Sequence, residues 1–302
     1  MHVGVKIPNW GPLAGPDALV ATAVAADQSN FDSVWVSDHV AMPRSPLTDY
    51  PYAASSTPPL DPTTPFLESF VALAHVAAVT ERVQLGTGVL VLPLRQPVLV
   101  AKQAASLDVL SRGRLVLGVG AGWLADEFAL LGQPFDDRGG RTDEGIDILR
   151  RCWAQQDLLV DGRPTPVAMM PSPVRHTRLP VLVGGHSRAA LRRAALVGDG
   201  WYGSNLSAER FSDLVRALRP FPGGDALRVG ARPGVVAAEE AGSTVGAFRD
   251  AGADFVVLDA PYAAMDVAAA RTWVHRVADA LDLDGSAQPL VARPAAAPAS
   301  DG

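Results

Sequence analysis

The sequence predicts an α/β fold, a (β/α)₈ TIM barrel with insertions, and three observations carry that expectation. Short continuous apolar runs alternate with longer helical stretches along most of the 302 residues. The runs are β-branched and lack a polar face, as strands covered on both sides do. Counted along the chain there are eight of them, the number that closes a parallel barrel. A doubly wound open sheet shares this local pattern, and periodicity alone leaves both standing.

In chain order the strand candidates are "HVGVKIP", "SVWVS", "VQLGTGVLVL", "RLVLGVGAG", "LPVLVGG", "GWYGS", "LRVGARPGVV" and "DFVVLDA". Each is bounded by Gly, Pro or Asp, the residues that end strands. Between them the spacing predicts helices over Asp17 to Gln28, Phe66 to Val79, Pro97 to Leu110, Arg141 to Trp153, Ser187 to Val197, Ala208 to Leu218, Ser243 to Asp250 and Met265 to Leu281. Several open on Asp, Ser or Pro, which suit a helix start. Two stretches interrupt the alternation. Met42 to Pro65, rich in Pro and Ser, is a long loop after the second strand and reads as a lid or entrance wall. Asp157 to Pro180 contains "VDGR", a turn sequence for a small inserted hairpin. Residues 1–284 are expected to form one domain, and the Ala/Pro-rich tail 285–302 to be disordered.

With 48% hydrophobic residues and a net charge of -6, the chain can build a core and carries no basic footprint for nucleic acid. The single cysteine, Cys152, excludes a disulfide within the chain and reads as a buried small hydrophobe. No apolar run reaches the roughly 20 residues that span a bilayer. The opening "MHVGVKIPNW" is strand-like and lacks the features of a signal peptide. The expectation is a soluble cytoplasmic protein with no membrane or nucleic-acid partner.

In a parallel barrel, polar side chains emerge where strands run out, at the face that carries the βα loops. "VWVSDHV" places Asp38 and His39 at such an end. An imidazole changes charge nearest neutrality and can pass a proton either way, and an adjoining carboxylate could orient it. A loop-capping Asp beside a packed histidine fits the same residues. Glycines mark three further strand ends: "GTGV" with Thr87, Gly88 and Val89, "GVGAGW" with Gly120, Gly122 and Trp123, and "VGGHS" with Gly184, Gly185 and His186. Without Cβ atoms the backbone can approach a flat ligand, and a helix starting after "GGHS" offers N–H groups to a phosphate. "GVGAG" is a poor dinucleotide fingerprint, because Trp123 occupies its third glycine position. Trp123 could wall a pocket for a planar ring. Asp126 and Glu127 suit a helix start electrostatically and are assigned no chemistry. His75 reads as a packed helix residue, and the histidines show no metal spacing.

"VWVSDHVAMP", the block from Leu85 to Phe128, "LPVLVGGHS" and "LRRAALVGDGWYG" together resemble the luciferase-like monooxygenase superfamily, and within it the branch that uses the deazaflavin coenzyme F420. The likeness runs from about Val3 to Ala280. It implies a (β/α)₈ barrel, Asp38 and His39 beside the reactive ring carbon, and a bulge, often holding a non-proline cis peptide, at Thr87, Gly88 and Val89 behind the ring. It also implies a coenzyme phosphate at Gly184, Gly185 and His186. Sugar-phosphate dehydrogenases of the superfamily carry a catalytic glutamate where this chain has Trp123, which argues against that reaction. The resemblance implies an F420-dependent oxidoreductase, reducing an activated C=C or C=N bond of a small molecule with His39 as proton donor or acceptor. An FMN-dependent monooxygenase and a barrel that binds the coenzyme without catalysis are the alternatives. A homodimer is an assembly open to it.

Overall fold

A computed structural model of the protein describes residues 1–44, 63–174, 179–284 and 290. All eight predicted strands are present and parallel: β1 (His2–Lys6), β2 (Ser33–Val36), β3 (Gln84–Thr87), β5 (Leu115–Gly120), β8 (Val181–Gly184), β9 (Gly200–Ser204), β10 (Arg228–Arg232) and β11 (Phe255–Leu258). The sheet closes through β1 against β11 and β3 against β5, which makes it a barrel and removes the open-sheet alternative. The third predicted run is broken: after β3 the chain bulges, and a two-residue strand β4 (Leu90–Val91) resumes against β5.

Helices α1 (Pro16–Gln28), α2 (Ser69–Ala77), α3 (Pro97–Leu110), α5 (Arg138–Trp153), α6 (Arg188–Val197), α7 (Ala208–Leu218), α8 (Ala241–Asp250) and α9 (Val267–Leu281) cover the barrel where the pattern put them. A short helix α4 (Ala125–Leu130) was not predicted; at six residues it is too short to show a periodicity. The hairpin is β6 (Leu158–Val160) paired antiparallel with β7 (Arg163–Thr165). Asp161 and Gly162 turn it with φ of 50° and 74°, the pair of positive angles a two-residue hairpin loop needs. Cys152 is buried, and burial pushes its thiol pKa up. His75 is exposed near the end of α2 and not packed, because its side of the helix faces away from the barrel. The proposed lid falls largely on residues 45–62, outside the described residues. So does the expected disordered tail, save Leu290.

The barrel axis is filled by a stack of aromatic rings. Trp35, Tyr202 and Phe255 lie nearly parallel, with centroids 5.3 Å (Trp35–Tyr202), 6.0 Å (Tyr202–Phe255) and 6.1 Å (Trp35–Phe255) apart, among Val116, Leu182 and Val257. Neighbouring strands give up side chains to admit them: a Cβ on Gly86 would stand 2.3 Å from the Trp35 ring, and one on Gly230 2.2 Å from Phe255. Leu290 is fully buried against this stack, and its N–H donates to Gln84 Oε1 at the N-terminal end of β3 (3.0 Å). The barrel's lower end is thereby plugged, and polar side chains collect at the opposite, C-terminal mouth.

Candidate active site

The loop after β2 is held by Asn9, which is fully buried. Its amide donates to Ser37 O (2.8 Å), and Ser37 N–H donates back to Asn9 Oδ1 (2.9 Å). The next two side chains part company. Asp38 turns into the protein and meets Arg95, just before α3, in a two-pronged pair: Nη1 to Oδ2 at 2.7 Å and Nη2 to Oδ1 at 2.8 Å. Ser69 Oγ donates to Oδ1 (2.7 Å) and Val91 N–H to Oδ2 (2.8 Å). Its lone pairs are thus spent on β4 and the starts of α2 and α3. The expected pairing of Asp38 with His39 does not form.

The carboxylate on His39 is Glu127 instead. Glu127 Oε2 lies 2.8 Å from His39 Nδ1, and its Oε1 accepts N–H bonds from Val40 (2.6 Å) and Ala41 (3.1 Å). Glu127 is 1% exposed, so the first turn of α4 drives a buried carboxylate into the loop after β2. An ionised carboxylate only accepts, so it takes the Nδ1–H bond and leaves Nε2 as the nitrogen that can exchange a proton. Phe66 and Trp123 stand edge-on to the imidazole, with centroids at 5.6 and 5.9 Å. Trp123 thus stands against the histidine itself, and Glu127, expected only to suit a helix start, is the carboxylate that meets it. A carboxylate on the turn after a Gly-rich strand end was the available signal, and helix-start electrostatics accounted for it too readily.

The glycine motifs share in the packing of the bulge after β3. Gly88–Val89 is a cis peptide, and the Val89 side chain fills the space above two other strand ends: a Cβ on Gly120 would lie 2.6 Å from its Cγ2, and one on Gly184 2.8 Å from its Cγ1. These glycines make room for the bulge. Thr87 is buried with Oγ1 donating to Gly118 O (2.7 Å), and Gly122 packs on Val91 and Phe128. At the "GGHS" turn Gly185 has φ +115°, its carbonyl accepts from Trp201 Nε1 (2.9 Å), and Ser187 caps α6. His186 Nε2 accepts from Ser204 N–H (3.2 Å); burial and then Arg210 lower its pKa, which favours the neutral ring. His186 thus ties the turn to β9. The start of α6 keeps the N–H geometry that suits a phosphate.

A second polar group, absent from the sequence reading, occupies the β1, β10 and β11 side of the mouth. Arg232 Nη1 donates to Asp259 Oδ2 (2.9 Å), and Lys6 Nζ lies 3.5 Å from the same oxygen. Burial, opposed by Asp259, pushes the Lys6 pKa down to about 8. One layer below, the Tyr202 hydroxyl is buried beside Gly88 with no hydrogen-bond partner, and burial raises its pKa. Among the described residues no group of His, Cys, Asp or Glu is arranged to hold a metal ion, and no helix is long and apolar enough to cross a membrane.

The described residues thus form a closed parallel barrel with a histidine–carboxylate pair and a bulged third strand at its C-terminal mouth. The chain belongs to the luciferase-like monooxygenase family, whose profile matches residues 1–292. It is 39% identical over 203 residues to an uncharacterised protein of Mycobacterium tuberculosis, covering 66% of this chain and 69% of that one. It is 35% identical over 195 residues to an F420-dependent glucose-6-phosphate dehydrogenase of Beutenbergia cavernae, covering 62% of this chain and 52% of that protein. Among solved structures it resembles a monooxygenase from Streptomyces bottropensis, with a TM-score of 0.74 at 21% identity over 93% of this chain and 98% of that one.

Proposed function

We propose that the protein is an F420-dependent oxidoreductase that reduces an activated C=C or C=N bond of a small molecule, with His39 exchanging the proton. The observation that carries this reading is the His39–Glu127 pair at the barrel mouth, with Nε2 left as the reactive nitrogen. When bound, the deazaflavin supplies or accepts a hydride at carbon. The residues present suit such a group: the bulge at Gly88 and Val89, seated on Gly120 and Gly184, offers an uncharged backing to a planar ring. The start of α6 suits a phosphate, and the buried Tyr202 hydroxyl lies under the bulge. Glu127 fixes the imidazole tautomer and offsets charge when Nε2 is protonated, while Phe66 and Trp123 restrict water at the ring edges. Trp123 standing where sugar-phosphate dehydrogenases of the superfamily carry a glutamate turns the reading away from sugar-phosphate oxidation. Side-by-side calorimetry with oxidised F420 and FMN tests the coenzyme. Micromolar or tighter F420 binding with weaker FMN binding is expected, and equal or reversed affinities would favour a flavin monooxygenase.

A further inference from the structure

Lysine is rare in this chain: of its 26 basic residues only Lys6 and Lys102 are lysines. Arginine keeps its charge at any pH a protein meets, whereas an ammonium is a compact point charge that can lose its proton in a dry site. One of the two lysines is spent at the end of β1, inside the mouth, with its side chain 3% exposed. The groups that face it come from several elements. Asp259, after β11, lies at 3.5 Å through Oδ2, and Arg232 of β10 donates to that same oxygen at 2.9 Å. The Trp10 ring lies 4.6 Å from Nζ, and the Tyr262 hydroxyl donates to the Lys6 carbonyl, not to its side chain. Two cations therefore share one carboxylate oxygen, and the contact of Lys6 is the longer. Burial so far outweighs Asp259 that the ammonium is held only weakly. The buried Tyr202 hydroxyl, beside Gly88, has no hydrogen-bond partner and lies near enough to Arg232 and Asp259 to feel both charges. Gly88, Val89, Gly120 and Gly184, on the β3, β5 and β8 side of the mouth, bear no charge. β2, which delivers His39, runs between β1 and β3.

We propose that Lys6, supported by the field of Arg232, is an anion-binding subsite at the barrel mouth, and that it selects substrates bearing a carboxylate. A monoanion balances the second cation, and the three donors of an ammonium suit carboxylate oxygens. The carboxylate sits on the charged half of the mouth, and the rest of the substrate extends past β2 toward His39. The subsite stands whichever coenzyme works there.

The scarcity of lysine supplies the test. Lysine labelled with ¹³C at Cε and ¹⁵N at Nζ gives two signals in the intact protein, one from Lys6 and one from the exposed Lys102. Acetate at neutral pH should shift the Lys6 signal saturably and raise its titration midpoint, while acetamide should do neither and Lys102 should stay still. A Lys6 signal that ignores acetate, or that moves in parallel with Lys102, would overturn the proposal. Lys6→Met leaves Arg232 and Asp259 as a balanced pair and should weaken acetate binding by about tenfold or more with F420 affinity unchanged. A comparable fall in F420 affinity would assign the anion to the coenzyme and end the substrate assignment.

Discussion

Asp38 and His39 are adjacent in the chain and separate in duty. Successive side chains of an extended segment point to opposite sides, so the residue that best positions His39 comes from 88 residues away. His39→Ala is expected to lower turnover by about 10²- to 10⁴-fold while F420 binding measured by calorimetry stays nearly intact. Glu127→Gln places an amide where only an acceptor serves both Nδ1–H and two backbone N–H groups. Turnover should fall by about 10²-fold or more, as when an orienting carboxylate loses its charge and the tautomer reverses; a single-turnover assay with a substrate of the wild type reads it. Asp38→Asn should act on stability, because breaking a buried, fully bonded ion pair costs about 3–5 kcal/mol, read as a lowered urea midpoint. The sequence showed that a histidine and a carboxylate emerge where β2 ends, since chain order and strand direction determine that. It could not show which carboxylate answers the histidine, nor that Arg95 answers Asp38, because both partners arrive only when the barrel closes.

At the scale of elements, the bulge after β3 and the glycines of β5 and β8 form one packing unit. The "GTG", "GVGAG" and "GG" motifs were legible as places where a Cβ is excluded. What excludes it at Gly120 and Gly184 was not, because Val89 reaches them from the bulge between β3 and β4. Gly120→Ala should cost about 1–3 kcal/mol through its contact with Val89 Cγ2. In a Val89→Ala background the cost should fall, giving a coupling of about 0.5–3 kcal/mol in a double-mutant cycle followed by urea unfolding. Additive effects would show that the two residues do not share the space. The eight strands and the "VDGR" hairpin were readable because their signals are local: continuous β-branched runs, and a turn that needs two positive φ angles. The break between β3 and β4 was not, since the apolar run continues through it.

For the whole molecule, Lys6 sets a pH dependence. Its pKa is about 8 folded against 10.5 for the ordinary side chain, so between these values the unfolded chain binds the proton more tightly and stability rises with pH. Below the window both states are protonated and the cost of burying the charge is present in full; above it both are neutral. Urea midpoints measured across this range should rise in the wild type relative to Lys6→Met, in which that contribution is gone. Closure has a further consequence. The barrel is sealed where β1 meets β11, the earliest of its strands to leave the ribosome and the last. Until Phe255 to Leu258 emerges, the growing sheet carries an unpaired edge along β1, the kind of edge that recruits a second chain. Leu290 follows later still and only then can seat beneath Trp35. A message truncated between β10 and β11 should therefore give aggregate and not a smaller enzyme, and the nascent protein should depend on a holding chaperone until its last strand is made.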